Sequence, residues 1–176
     1  SIIAFFVSIA LPNEIALDFE DEIQVFQTSA HQKFPEVVSS IDGVLHLVWV
    51  RELGNNKNVM YSQSLDAGDT FSEPVQINQI DNNIVAYIQA GPKIKVRGDE
   101  LLIIYMDDRS GLTNIYMNRS LDNGLSWSED ALISDQSYLQ AYPDIEVAPD
   151  GTVHLIYYSY NQNYSFNSVR YSTAES

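Results

Sequence analysis

Two octapeptides constrain this chain more than anything else in it. Ser64-Leu65-Asp66-Ala67-Gly68-Asp69-Thr70-Phe71 and Ser120-Leu121-Asp122-Asn123-Gly124-Leu125-Ser126-Trp127 share the pattern Ser-x-Asp-x-Gly-x-(Ser/Thr)-aromatic at a 56-residue offset. An alternating apolar run precedes each, and Ser-Glu follows each aromatic. One such stretch is an ordinary turn; two, inside longer segments that also match, are an internal repeat.

The repeat divides the chain into units of short strands. The first unit, over 31–78, opens at Phe34-Pro35-Glu36-Val37-Val38 and turns at Asp42-Gly43, where glycine takes a positive φ at little cost. Val44 to Val50 is almost continuously apolar, Asn58 to Gln63 alternates into the first octapeptide, and Pro74-Val75-Gln76-Ile77 closes the unit. The second, over 87–134, repeats this order through Lys93 to Val96, Leu101 to Met106, Asn114 to Arg119 and Ala131-Leu132-Ile133. The third, over 140–176, runs through Tyr142 to Val147, Val153 to Tyr158 and Ser168 to Thr173, and lacks an octapeptide. An unpaired outer strand is expected over 18–28, where Phe19-Glu20-Asp21-Glu22-Ile23-Gln24-Val25 resembles Phe71 to Ile77. Pro35, Pro92 and Pro143 recur 57 and 51 residues apart, longer than the roughly 40–45 of WD repeats and close to the roughly 50 of kelch repeats. The middle strands are apolar on both sides, so both faces of the sheets that hold them need cover.

The Ser-x-Asp-x-Gly-x-(Ser/Thr)-aromatic pattern resembles the Asp-box, or bacterial neuraminidase repeat, of sialidases and other secreted β-propellers. The resemblance implies an all-β, sialidase-like β-propeller, with about three four-stranded antiparallel blades of a six-bladed ring over 18–176. β-Helices and sandwiches are the alternatives. It assigns Ser64, Asp66, Gly68, Thr70 and Phe71, with Ser120, Asp122, Gly124, Ser126 and Trp127, to a structural turn away from the substrate end. Side-chain oxygens of the serine and aspartate suit bonds to nearby backbone, and the aromatic suits an apolar seam. The implied function is a fragment of a secreted, sialidase-like glycoside-hydrolase relative that acts on or binds glycans. A noncatalytic propeller that binds or scaffolds is the alternative. Glycan or protein ligands are the partners to expect. A homodimer that completes a ring stands as an alternative to further blades in the same polypeptide.

No catalytic set can be matched by motif. Sialidases use three arginines on the substrate carboxylate, a tyrosine–glutamate nucleophile and an acid/base aspartate. Arg51, Arg97, Arg109, Arg119 and Arg170 lie outside any segment resembling the family's opening arginine motif. Tyr157 and Tyr158 read as packing residues, and Asp107-Asp108-Arg109-Ser110-Gly111 as a turn with a local ion pair. His31, His46 and His154 lack metal-binding spacing, so neither metal nor cofactor is expected. His46 and His154 occupy equivalent places in two units, as a repeated packing role requires.

Charge narrows the partners. Nine basic against 24 acidic residues give a formal charge of -15, which disfavours nucleic acid and anionic membrane surfaces. The absence of cysteine excludes a disulfide framework. The apolar run Ser1 to Leu11 is too short for a spanning helix and has two readings, the remnant of a secretory signal within 1–17 or a buried strand. Because Pro12-Asn13 follows at once and nothing in the run matches the repeats, a truncated signal is the expectation, with a secreted, periplasmic or cell-surface location and no membrane in the mature form.

Overall fold

A computed structural model describes residues 22–161, 163 and 167–175. The signal-or-strand segment 1–17 lies outside the described residues, as does the start of 18–28; residues 22–30 carry no strand. Among the described residues, twelve strands form three antiparallel sheets. The first sheet runs in order through β1 (His31–Ser39), β2 (Leu45–Leu53), β3 (Asn56–Ser64) and β4 (Val75–Gln76). In the second, β5 (Ile84–Val85) and β6 (Lys93–Arg97) both pair with β7 (Glu100–Asp107), which is followed by β8 (Asn114–Ser120) and β9 (Ala131–Leu132). The third holds β10 (Leu139–Val147), β11 (Val153–Tyr160) and β12 (Asn167–Ala174).

Hairpin chemistry sets the register. Gly43, Gly98 and Gly151 hold φ of 86°, 62° and 86° at the first turn of their sheets, a backbone state glycine enters without a Cβ penalty. The first strand of the outer sheets then breaks step before its proline. Pairing shifts between Lys33 and Glu36 in β1 and between Ala141 and Asp144 in β10, with Phe34 and Tyr142 at φ 56° and 54°. In the second sheet this break becomes the gap between β5 and β6, and Gly91 sits against Phe34, where a Cβ would collide with the Phe34 side chain. The bulge re-aims an aromatic toward the neighbouring sheet.

The three sheets stack face to face in a row. Val48, Val50, Val59 and Tyr61 on the front of the first sheet pack against Ile94, Leu101, Ile103, Tyr105 and Tyr116 on the back of the second. Leu102, Ile104 and Ile115 on the other side of the second sheet meet Ile145, Val153, Leu155 and Tyr157 of the third. Every residue of β7 is buried, which explains why its sequence does not alternate. Against β11 the same expectation fails, because its residues alternate between buried and open. Phe26, from the segment before β1, stacks on Trp49 at 4.6 Å and covers part of the first sheet's back.

The propeller expectation, with its Asp-box and sialidase-like designation, is corrected by this arrangement. Among the described residues the sheets have four, five and three strands, not three sets of four, and none closes into a ring. Packing runs from the first sheet to the second and from the second to the third, and the front of the third sheet is open. The octapeptide repeat specifies a turn and a sheet-to-sheet seam; closure needs a further contact between the end faces, and the repeat does not encode one.

The seam makes unequal demands on the two octapeptide glycines. A Cβ on Gly124 (φ 89°) would run into the Tyr61 hydroxyl and ring, whereas one on Gly68 (φ 105°) would meet only Leu45 Cδ1 at 3.5 Å. Both positions carry the same backbone constraint, so Gly124→Ala is expected to cost about 1–3 kcal/mol more than Gly68→Ala in urea unfolding, the usual range for overpacking. Equal losses would show that the Tyr61 contact does not hold the sheets together.

Candidate functional site

The octapeptides form two nearly superposable turns. Ser64 Oγ accepts from Gly68 N at 2.8 Å and donates to Asp66 Oδ1 at 2.8 Å, while Asp66 accepts from Thr70 N at 2.9 Å and Thr70 Oγ1 at 2.6 Å. Ser120, Asp122, Gly124 and Ser126 repeat the set at 2.8, 2.8, 2.8 and 2.5 Å. The threonine or serine hydroxyl and backbone N–H hold each aspartate pKa down to about 2. Such carboxylates stay ionised and have their oxygens occupied, so they are poorly suited to acid/base work. Trp127 meets Tyr61 edge to face at 4.9 Å, and Phe71 meets Phe26 at 6.5 Å.

The Asp107–Arg109 segment is closed by its own partners. Arg109 Nε lies 2.9 Å from Asp107 Oδ1, NH2 2.6 Å from Asp107 Oδ2, and NH1 2.7 Å from Asp130 Oδ2; its guanidinium carbon stands 4.3 Å over the Tyr116 ring. Asp130 also accepts from Asn118 Nδ2 at 3.0 Å and Gln79 N at 3.1 Å, and Tyr105 Oη lies 2.9 Å from its Oδ1. Burial pushes the Asp130 pKa up, and the hydrogen bonds from Arg109, Asn118, Gln79 and Tyr105 outweigh it, leaving the carboxyl below its ordinary value. Asp107 and Asp130 are thus both paired within one buried ion network centred on Arg109. Arg97 and Arg119 both converge on Glu100, while Arg51 and Arg170 lie on β2 and β12, so the five arginines do not form one cluster.

One constellation escaped sequence reasoning. His46 Nε2 lies 3.3 Å from Ser40 Oγ, which donates to Asp42 at 2.5 Å, and His46 Nδ1 lies 2.8 Å from Tyr61 Oη. The residue types suggest nucleophilic catalysis, yet the order is wrong. The carboxylate takes the serine proton instead of orienting the histidine, and His46 is fully buried, which lowers its pKa. Ser40 Oγ is also 3.2 Å from the Val44 carbonyl, within its own hairpin. Among the described residues, no group of three or more His, Asp or Glu stands together to hold a metal, and no helix is long and apolar enough to cross a membrane.

What remains is a surface. His154 Nδ1 lies 2.8 Å from Tyr171 Oη, with ring centroids 6.0 Å apart and planes at 20°; His46 and Tyr61 make the same pair at 2.8 Å, 6.1 Å and 18°. Strand register extends the match. Val48 pairs with Tyr61 and Val50 with Val59 in the first sheet; Ile156 pairs with Tyr171 and Tyr158 with Val169 in the third. The four residues of the first set are 0–2% exposed, whereas Ile156, Tyr158, Val169 and Tyr171 are 45, 43, 59 and 64% exposed. Tyr142 continues this aromatic surface, 5.9 Å from Tyr158 and 5.4 Å from Tyr87. A hollow of about 210 Å³ beside Tyr171 is lined by Asp144, Glu146, His154 and Ile156. Sequence reasoning paired His46 with His154 but could not see that one is covered and the other is not.

No protein-family model matches the chain, and no curated protein matches it. In fold it is similar to a polysaccharide lyase, ulvan lyase, at 13% identity and TM-score 0.56, over 81% of this chain and 41% of that one. An endo-1,4-β-xylanase from Bacteroides thetaiotaomicron gives 10% identity and TM-score 0.50, over 89% and 62%. NanB sialidase from Streptococcus pneumoniae gives 13% and 0.37, over 74% and 29%, too low to carry an argument. The chain thus spans less than two thirds of each of these proteins. The likeness extends to all-β sheet architecture shared by unrelated glycan-active proteins, and this corrects the expectation of a sialidase-like glycan-processing fragment.

The octapeptide aspartates give a pH dependence whose sign is set. Their folded pKa values lie below those of an unfolded aspartate, so their contribution is complete above pH about 4 and falls away as pH drops toward about 2. Asp66→Asn with Asp122→Asn is therefore expected to flatten the loss of stability between pH 4 and 2 in urea titrations. An unchanged slope would contradict the assigned bonds. Arg109→Met, which strands the buried Asp107 and Asp130 carboxylates, is expected to cost about 3–5 kcal/mol at neutral pH; a loss under about 1 kcal/mol in the same assay would show that the network is not closed.

Proposed function

We propose that this chain is a protein-binding β-sheet domain, and that the open front of the third sheet is its docking surface. The observation that carries this reading is the exposure of Ile156, Tyr158, Val169 and Tyr171 side by side, at positions whose equivalents in the first sheet are fully covered. Contiguous apolar surface of this kind is unfavourable in water and marks interaction sites. Tyrosine suits such a face because it offers a large rigid ring with a polar tip.

Protein is favoured over glycan by the aliphatic residues between the tyrosines. Ile156 and Val169 would face sugar hydroxyls without partners for them, a desolvation cost that a protein side chain avoids. The polysaccharides named for the structural neighbours do not transfer at 10–13% identity.

A photocrosslinking residue at position 156, in the full chain inside the cells that make it, tests this reading against the same residue at the exposed hairpin position 41. The expected result is a discrete protein adduct from position 156 that Tyr171→Glu abolishes, with none from position 41. Equal labelling from both positions, or a position-156 adduct insensitive to Tyr171→Glu, would contradict it.

A further inference from the structure

We propose that the partner of the third sheet is another antiparallel sheet carrying a Ser-x-Asp-x-Gly-x-(Ser/Thr)-aromatic turn and a lysine. It docks on Tyr171 and Asp144 as the second sheet docks on Tyr61 and Glu36. This inference rests on the protein-docking reading of the same face and adds the chemistry of its occupant.

The first two sheets show what covers a face of this kind. Trp127 lays its edge on the Tyr61 ring, and Gly124 approaches the Tyr61 hydroxyl so closely that no Cβ fits between them. Leu101, Ile103 and Tyr105 close over Val48 and Val50. At the edge of the seam Lys93 Nζ meets Glu36 Oε2 at 2.8 Å. Glu36 is the residue after Pro35 and pairs with Val48; Asp144 is the residue after Pro143 and pairs with Ile156. The third sheet therefore presents the same histidine–tyrosine pair, Ile156 and Val169 at the places of Val48 and Val59 with Tyr158 in place of Val50, and the same acidic edge, with an open hollow beside them.

The features that would complete the face are an aromatic at the eighth position of the turn, a glycine at its fifth and a cation at the edge. A glycine is needed because Tyr171 Oη already bonds His154, as Tyr61 Oη bonds His46, and is held upright in the path of any Cβ. A cation fits because Asp144 and Glu146 both lie beside the hollow, and the ion pair that Lys95 makes there, at 3.0 Å, goes to Glu146.

A second copy of this chain does not fit the description. Its first sheet would bring Glu36 to the place that Lys93 occupies at the first seam, opposite Asp144, which sets like charges together. Phe26 also stands on Trp49 across the back of that sheet.

The experiment uses the chain's own second sheet as the probe. A second copy of residues 65–134, joined after Ala174 of the full chain, supplies a turn, a fourth strand and then a sheet with Lys93, Gly124 and Trp127. Tyrosine nitration, mapped by mass spectrometry, reads coverage. Tyr171 is expected to react readily in the unextended chain and to be protected by roughly tenfold or more in the extended one, approaching Tyr61. Gly124→Ala or Lys93→Glu, placed only in the added copy, is expected to restore Tyr171 reactivity. Tyr171 that stays reactive in the extended chain, whatever the state of the added sheet, overturns the proposal. A concentration-dependent dimer of the unextended chain that protects Tyr171 overturns it in favour of a second copy. In the unextended chain, Trp127→Ala is expected to raise the nitration of Tyr61; no change there would overturn the premise that the turn covers the pair. Because the crosslinking at position 156 is independent of the added sheet, it separates a wrong partner from a face that binds no protein.

Discussion

The structure depends on burying both faces of the second sheet. β7 is the central strand of that sheet, apolar on both sides, and has no stable place in a two-layer arrangement with one wet face. Its neighbours cover it from either side, and each seam adds a long-range element to the short hairpins that make the sheets. At the first seam the octapeptide turn does more than reverse the chain. It carries Trp127 and Gly124 to the Tyr61 ring, so a locally bonded turn becomes a contact between two sheets. The hydrogen bonds of the turn are local in both copies, whereas its aromatic reaches beyond it, Trp127 to the first sheet and Phe71 to Phe26.

Much of this was legible in the sequence. Asp42-Gly43 marked a hairpin where the structure has one, the apolar run of β7 required two covered faces, and the octapeptides marked turns after the third strand of a unit. The prolines measured the repeat, and nothing in their spacing revealed that strand pairing shifts before Pro35 and Pro143 or that Phe34 and Tyr142 would take positive φ. The ring expected from the resemblance was not legible, because a repeat encodes how one sheet meets the next and is silent on whether the last meets the first. Nor could β11 be told from β2. Val153-His154-Leu155-Ile156-Tyr157-Tyr158 reads as a covered strand, and only the three-dimensional arrangement shows its Ile156 side in the open.

Electrostatics divides the candidate site from the false ones. Asp66, Asp122, Asp107 and Asp130 are carboxylates in a very acidic protein, yet each is fully occupied by bonds from its own neighbourhood. The His46–Ser40–Asp42 cluster has catalytic residue types and structural connectivity. With those groups assigned, the third-sheet face around Tyr171 offers an apolar and aromatic surface with acid at its rim. That pattern favours recognition by surface complementarity over bond chemistry.

The central claim is that two faces built on the same strand register differ in being covered, the first closed and the third open. Solvent paramagnetic relaxation of methyl groups in the isotopically labelled full chain measures this most directly. The account expects strong relaxation at Ile156 and Val169 and almost none at Val48 and Val59, in keeping with their exposures of 45 and 59% against 0%. Equal protection of all four methyl groups would mean that the third-sheet face is already closed within this chain, and would contradict the account.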